Sequence, residues 1–119
     1  MVCLYVGSTK EYSGKNLAVM GLGQRFLKDG LNVGYLKPFG RLPVKVEGVL
    51  TDQDAWFIHR TLALKDPVET LCPVVMTHDL MMDGFRGEFP GLDQKIMAAF
   101  DAVSKGKDVV LVGGAGKLE

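Results

Sequence analysis

Two short segments, "VCLYV" (Val2 to Val6) and "VVLV" (Val109 to Val112), are apolar at every position, and each runs straight into glycine. A strand with one wet face alternates apolar and polar residues, whereas a strand covered on both faces does not. The runs are too short for a buried helix and rich in β-branched residues. They predict buried strands, and so a sheet enclosed between layers. A third segment, Asn32 to Leu36 in "LNVGYLKP", reads as another strand ended by Pro38.

Between these strands the apolar spacing becomes helical. Lys15 to Lys28 places Val19, Leu22 and Phe26 on one stripe and stops at Asp29-Gly30. "TDQDAWFIHRTLAL" predicts a helix capped by Thr51, with Asp54 three residues on and Ala55, Ile58 and Leu62 on one face. Leu92 to Ser104 carries Leu92, Ile96, Ala99, Phe100 and Val103 on one stripe, and Gly106 ends it. Phe39 to Gly48 reads as loop. Pro67 to Val75 is ambiguous, with a short strand at Val74 to Thr77. Thr77 to Gly91 reads as loop with a brief helical turn.

Strands alternating with helices predict an α/β fold, a parallel sheet with helices on both faces. Its 119 residues suit one small domain, and a hydrophobic fraction of 47% supplies a core. In such sheets ligands bind beyond the carboxyl ends of the strands. Three loops leave those ends: Gly7 to Gly14, Lys37 to Gly40, and Gly113 to Gly116.

Charge excludes some partners. Lys plus Arg equals Asp plus Glu at 14 each, so neither a nucleic-acid footprint nor an anionic membrane surface is supported. No apolar run approaches roughly 18 residues, the length of a membrane span. The N-terminus lacks a secretory pattern, so a cytoplasmic location is expected. Cys3 and Cys72 read as two buried thiols in a reducing compartment. His59 and His78 stand alone and read as structural, and Met76, Met81 and Met82 read as packing under a loop.

The first loop carries the most chemistry. "VGSTKEYSGKN" joins a strand to a helix, and its window Thr9 to Asn16 parallels the phosphate loop G-x-x-x-x-G-K-[ST]. Gly14 and Lys15 fit. Thr9 stands at the first glycine, and Asn16 stands where a hydroxyl ligates magnesium. Backbone N–H groups at the helix start suit a phosphate, and Lys15 suits its outer oxygens. The nucleotide is expected against Thr9, Lys10, Glu11, Tyr12, Ser13, Gly14, Lys15 and Asn16. Lys10, five residues before Lys15, has two readings of equal weight: a second phosphate-binding lysine, or a solvated loop residue.

"VGSTKEYSGKN", then "GYLKPFG", then "VVLVGGAG" together resemble the phosphate-loop NTPase fold shared by dethiobiotin synthetase and cobyrinic acid a,c-diamide synthase. The pattern looks closest to the related N-terminal domain of phosphotransacetylase-like proteins. The resemblance runs from Val2 to Gly116. It implies ATP and Mg²⁺ as cofactors, and a small carboxylate or amine as second substrate. It implies that Lys15 holds phosphate and that Lys37 contacts substrate and the transferring phosphoryl group. It places Asp54, with Asp52 as a nearby substitute, among the metal ligands together with Asn16. Asp54 also reads as the acid of a helix cap. Gly113 falls where the family has a metal-binding glutamate.

Three functions follow from these residues. The first is an ATP-dependent domain that activates a carboxylate or carbamate. The second is a non-catalytic, nucleotide-sensing domain attached to a phosphotransacetylase-like protein. The third is an assembly surface alone, against which Gly14-Lys15 speaks. Asn16 and Gly113 argue for weak or absent catalysis. The glycine-rich end also reads as that of an N-terminal fragment, whose open sheet edge favours a homodimer.

Overall fold

The computed structural model describes residues 1–6, 15–85, 87 and 91–114. Its centre is a parallel three-stranded sheet in the order β1-β7-β2, formed by β1 (Val2–Val6), β7 (Val109–Gly113) and β2 (Val33–Leu36). The register sets Val6 beside Gly113 and Leu36 beside Val112, so the three strands finish at one level. The predicted α/β fold with helices on both faces is what forms.

Alternation along the strands sorts the faces. Val33, Tyr35, Val109 and Leu111 point to one side. There they pack with Val19 of α1 (Lys15–Lys28), with Ala55 and Ile58 of α2 (Gln53–Thr61), and with Leu62 just after it. The other side receives α4 (Leu92–Ser104), whose Ala99 and Val103 are buried. Gly34 permits that approach: a Cβ there would lie 2.8 Å from a Val103 methyl. Gly23 does the same for α1 against α2, where a Cβ would meet Leu62 at 2.6 Å. The buried stripe of α1 thus runs through Val19 and Gly23, while Leu22, expected inside, is 38% exposed.

β1 departs from its predicted burial. It pairs with β7 among the described residues, and α4 lies across β2 and β7. Cys3 and Tyr5 therefore face outward uncovered, and Cys3 is an exposed thiol rather than a buried one. Cys72 is buried as expected.

The segment read as loop is ordered. β3 (Phe39–Gly40) pairs in parallel with β6 (Val74–Val75). β4 (Pro43–Val46) forms an antiparallel hairpin with β5 (Val49–Asp52). Both turn residues have positive φ, Glu47 at 50° and Gly48 at 81°, the backbone of a two-residue turn matched to strand twist. Thr51, expected as the cap, does not cap α2. Asp52 does, accepting a hydrogen bond from Ala55 N–H. α3 (His78–Phe85) replaces the expected brief turn, and Thr77 Oγ1 accepts from Leu80 N–H at its start.

Helix ends follow local chemistry. α1 closes in a Schellman motif: Gly30, at φ 82°, donates to Leu27, and Leu31 donates to Phe26. His59 stacks on Trp56 and its Nε2 lies 2.7 Å from the Asp66 carbonyl, a packing role as expected. His78 opens α3 on the surface. Met82 is exposed rather than packed beneath a loop.

Candidate functional site

The carboxyl ends of β1, β7 and β2 meet where the sequence placed its chemistry. Gly114 N–H donates to the Val6 carbonyl, which ties the chain just past β7 to the end of β1. Lys37 follows β2 directly, and its N–H donates to the Leu71 carbonyl. Thr9, Lys10, Glu11, Tyr12, Ser13 and Gly14 lie outside the described residues. Lys15 and Asn16 are the first two residues of α1, and their side chains lie outside the description as well.

Lys37 is the residue the structure places most informatively. It is 3% exposed, and its Nζ donates to Asp52 Oδ2 at 2.9 Å. The same ammonium lies 3.8 Å from Asp54 Oδ2. Lys37 is therefore a buried, paired lysine and not a solvated strand-end residue. Asp54 keeps a 36% exposed side chain, so the cluster reaches solvent on its side.

Asp52 organises this corner. Its Oδ1 accepts from the N–H groups of Arg41 at 3.1 Å and Leu42 at 2.9 Å. Its Oδ2 accepts from Lys37 and from Ala55 N–H at 3.0 Å. Burial alone would raise its pKa. The Leu42 N–H, the Lys37 ammonium and the Ala55 N–H outweigh that, and the carboxyl stays below its ordinary 3.8. Gly40 makes the wrap possible, because a Cβ there would lie 2.6 Å from Asp52 Cβ and 2.7 Å from Cys72 Sγ. Burial and then the Asp52 charge push the Cys72 thiol up to about 12. Reactivity as a thiolate is therefore suppressed at this cysteine.

Sequence reasoning gave Asp52 only as a substitute for Asp54. The signal for its role was the Gly40 to Leu42 turn followed by an acid just before a helix. That pairing is long-range, ten to twelve residues apart, and no local pattern displays it.

Tyr35 completes the floor. Its ring is 2% exposed, and burial with the nearby Asp52 charge raises its pKa far above the ordinary phenol range. The hydroxyl therefore stays protonated. Its oxygen would lie 2.5 Å from a Cβ on Gly113. Tyr35 thus fills the space a side chain at position 113 needs.

These residues do not fit a magnesium shell. Hard cations take about six oxygens at close to 2.1 Å. Both Asp52 oxygens are engaged by four donors, and Asp54 faces the Lys37 ammonium. Position 113 offers no side chain, and Tyr35 occupies its room. Among the described residues no group of three His, Cys, Asp or Glu gathers to hold a metal. No helix among them is long and apolar enough to cross a membrane.

Comparison with known proteins gives a distant likeness. No protein-family profile matches the chain. ATP-dependent dethiobiotin synthetase of Thermodesulfovibrio yellowstonii is 25% identical over 116 residues, covering 96% of this chain and 48% of that protein. The chain therefore spans about half the length of the curated relative it matches. The likeness supports the dethiobiotin synthetase part of the resemblance and, with the fold, a nucleotide-binding domain of that general kind.

Proposed function

We propose that residues 1–119 form a single ATP-binding phosphate-loop domain of the dethiobiotin synthetase type. Gly14 and Lys15 hold the phosphates at the start of α1, with the window Thr9 to Asn16 around them and Lys10 as an accessory. The observation that carries this reading is Lys37: a lysine buried at the carboxyl end of β2, oriented by Asp52 and Asp54, beside the strand ends that flank the first loop. A lysine held there faces the place where a phosphoryl group would be passed to a carboxylate, carbamate or amine substrate. Such a pre-oriented charge acts without reorganisation.

A second reading is favoured by the poor fit to magnesium. In it the domain senses nucleotide without consuming it, attached to a phosphotransacetylase-like protein. The two separate on ADP release. A synthetase releases ADP from ATP when offered its substrate class, and a sensor binds ATP and releases none. The uncovered flank of β1, with Tyr5 61% exposed, supports self-association as a homodimer.

Thermal unfolding tests the binding claim common to both. A ligand of the native state raises Tm in proportion to the logarithm of its concentration. ATP is expected to raise it and adenosine to leave it unchanged, because the loop grips phosphate. Equal shifts with both, or none with either, would sink the proposal.

A further inference from the structure

In the site as built, a lysine stands where a divalent cation would be expected. Two carboxylates, Asp52 and Asp54, approach one ammonium at 2.9 and 3.8 Å. Both are in or next to the turn that opens α2, and their arrangement has the form of a cation site occupied from within the chain. We infer that the Lys37 ammonium is the resident cation of this site and that Tyr35 seals the strand end at Gly113, so that nucleotide phosphates are taken without a metal bridge to these carboxylates. The inference rests on the nucleotide reading above and specifies how that site treats its ligand's charge.

Three features of the chain agree on it. Asp52 has no oxygen to spare, since the N–H groups of Arg41, Leu42 and Ala55 share it with Lys37. A metal on Asp54 would sit close to a buried ammonium of like charge and be repelled by it. A carboxylate grafted at position 113 would collide with the Tyr35 hydroxyl at its first carbon. Tyr35 therefore decides which residue position 113 accepts, and a neutral O–H donor takes the place of an anionic ligand.

Two titrations on the natural chain test this, one without nucleotide. Mn²⁺ is added and the free ion followed by electron paramagnetic resonance. The natural chain is expected to retain none at this site, and Lys37→Ala, which frees Asp54 and one acceptor position on Asp52 Oδ2, to retain it. ATP is then titrated by calorimetry in EDTA and in Mg²⁺, with equal affinity expected. Mn²⁺ retained by the natural chain and lost in Asp54→Asn would overturn the inference. So would ATP binding at least about tenfold tighter with Mg²⁺, or a folded Lys37→Ala that holds no Mn²⁺. Absence of ATP binding in both buffers would remove the nucleotide reading instead, leaving the cation assignment to the Mn²⁺ result. Should Lys37→Ala not fold, the natural chain's own titrations still decide.

Discussion

Asp52 carries more of this corner than any other side chain, with four donors on two oxygens and no exposure. Removing the ammonium leaves a buried carboxylate short of its strongest partner. Lys37→Ala is therefore expected to lower stability by about 3–5 kcal/mol, read from chemical denaturation. A loss below about 1 kcal/mol would mean the pair is solvated. The pKa of Asp52 is lower folded than unfolded. Its contribution is then fully present above the ordinary value of 3.8 and lost as pH falls through the folded value. Stability should drop below about pH 4, and Asp52→Asn should flatten that slope. A slope unchanged by the substitution would assign acid lability elsewhere. Tyr35 and Gly113 form a second such pair. Gly113→Ala should destabilise by about 1–3 kcal/mol through overpacking. Equal stability of Gly113→Ala and the natural chain would mean that Tyr35 moves aside at no cost.

At the scale of elements, the sequence displayed whatever is periodic. The boundaries of β1, α1 and α4 coincide with those read from apolar spacing, because each buries a regular stripe or run. The β4–β5 hairpin was missed, since two prolines at Pro38 and Pro43 resemble loop chemistry and "PVKV" offers little apolar length. Its legible signal was Glu47-Gly48 between two valines, a turn pair with Gly at the second position. Thr51 was read as the cap one residue short of Asp52, the neighbouring residue whose carboxylate accepts from Ala55 N–H. Glu47 now sits at φ 50°, a region that Asn tolerates better than Glu. Glu47→Asn is expected to stabilise by a few tenths up to about 1 kcal/mol, measured by thermal melting. Destabilisation would mean that the hairpin is not the turn described.

For the whole molecule, the uneven cover of the sheet is the chief consequence. One face carries α1 and α2, and the other carries α4 over β2 and β7, so the outer flank of β1 stays bare. Sequence could not show this, because an apolar run reads as buried whether or not a layer arrives to cover it. Cys3 reports on that flank and Cys72 on the core. A thiol reagent should modify one cysteine quickly in the native chain and the second only on unfolding. Homodimer formation across β1 would slow Cys3 labelling as concentration rises, and labelling independent of concentration would count against it. Of the candidate site, sequence gave Lys37 and Asp54 by likeness. It missed the partnership of Asp52 and the closure by Tyr35, since both depend on residues brought together by the fold. The central claim is that the first loop binds a nucleotide's phosphates through Lys15. Calorimetric titration of ATP into the natural chain and into Lys15→Ala tests it most directly. Loss of a charge-assisted phosphate contact is worth about 1.5–3 kcal/mol, so the variant should bind at least about tenfold more weakly. Equal binding by the two proteins would contradict the account.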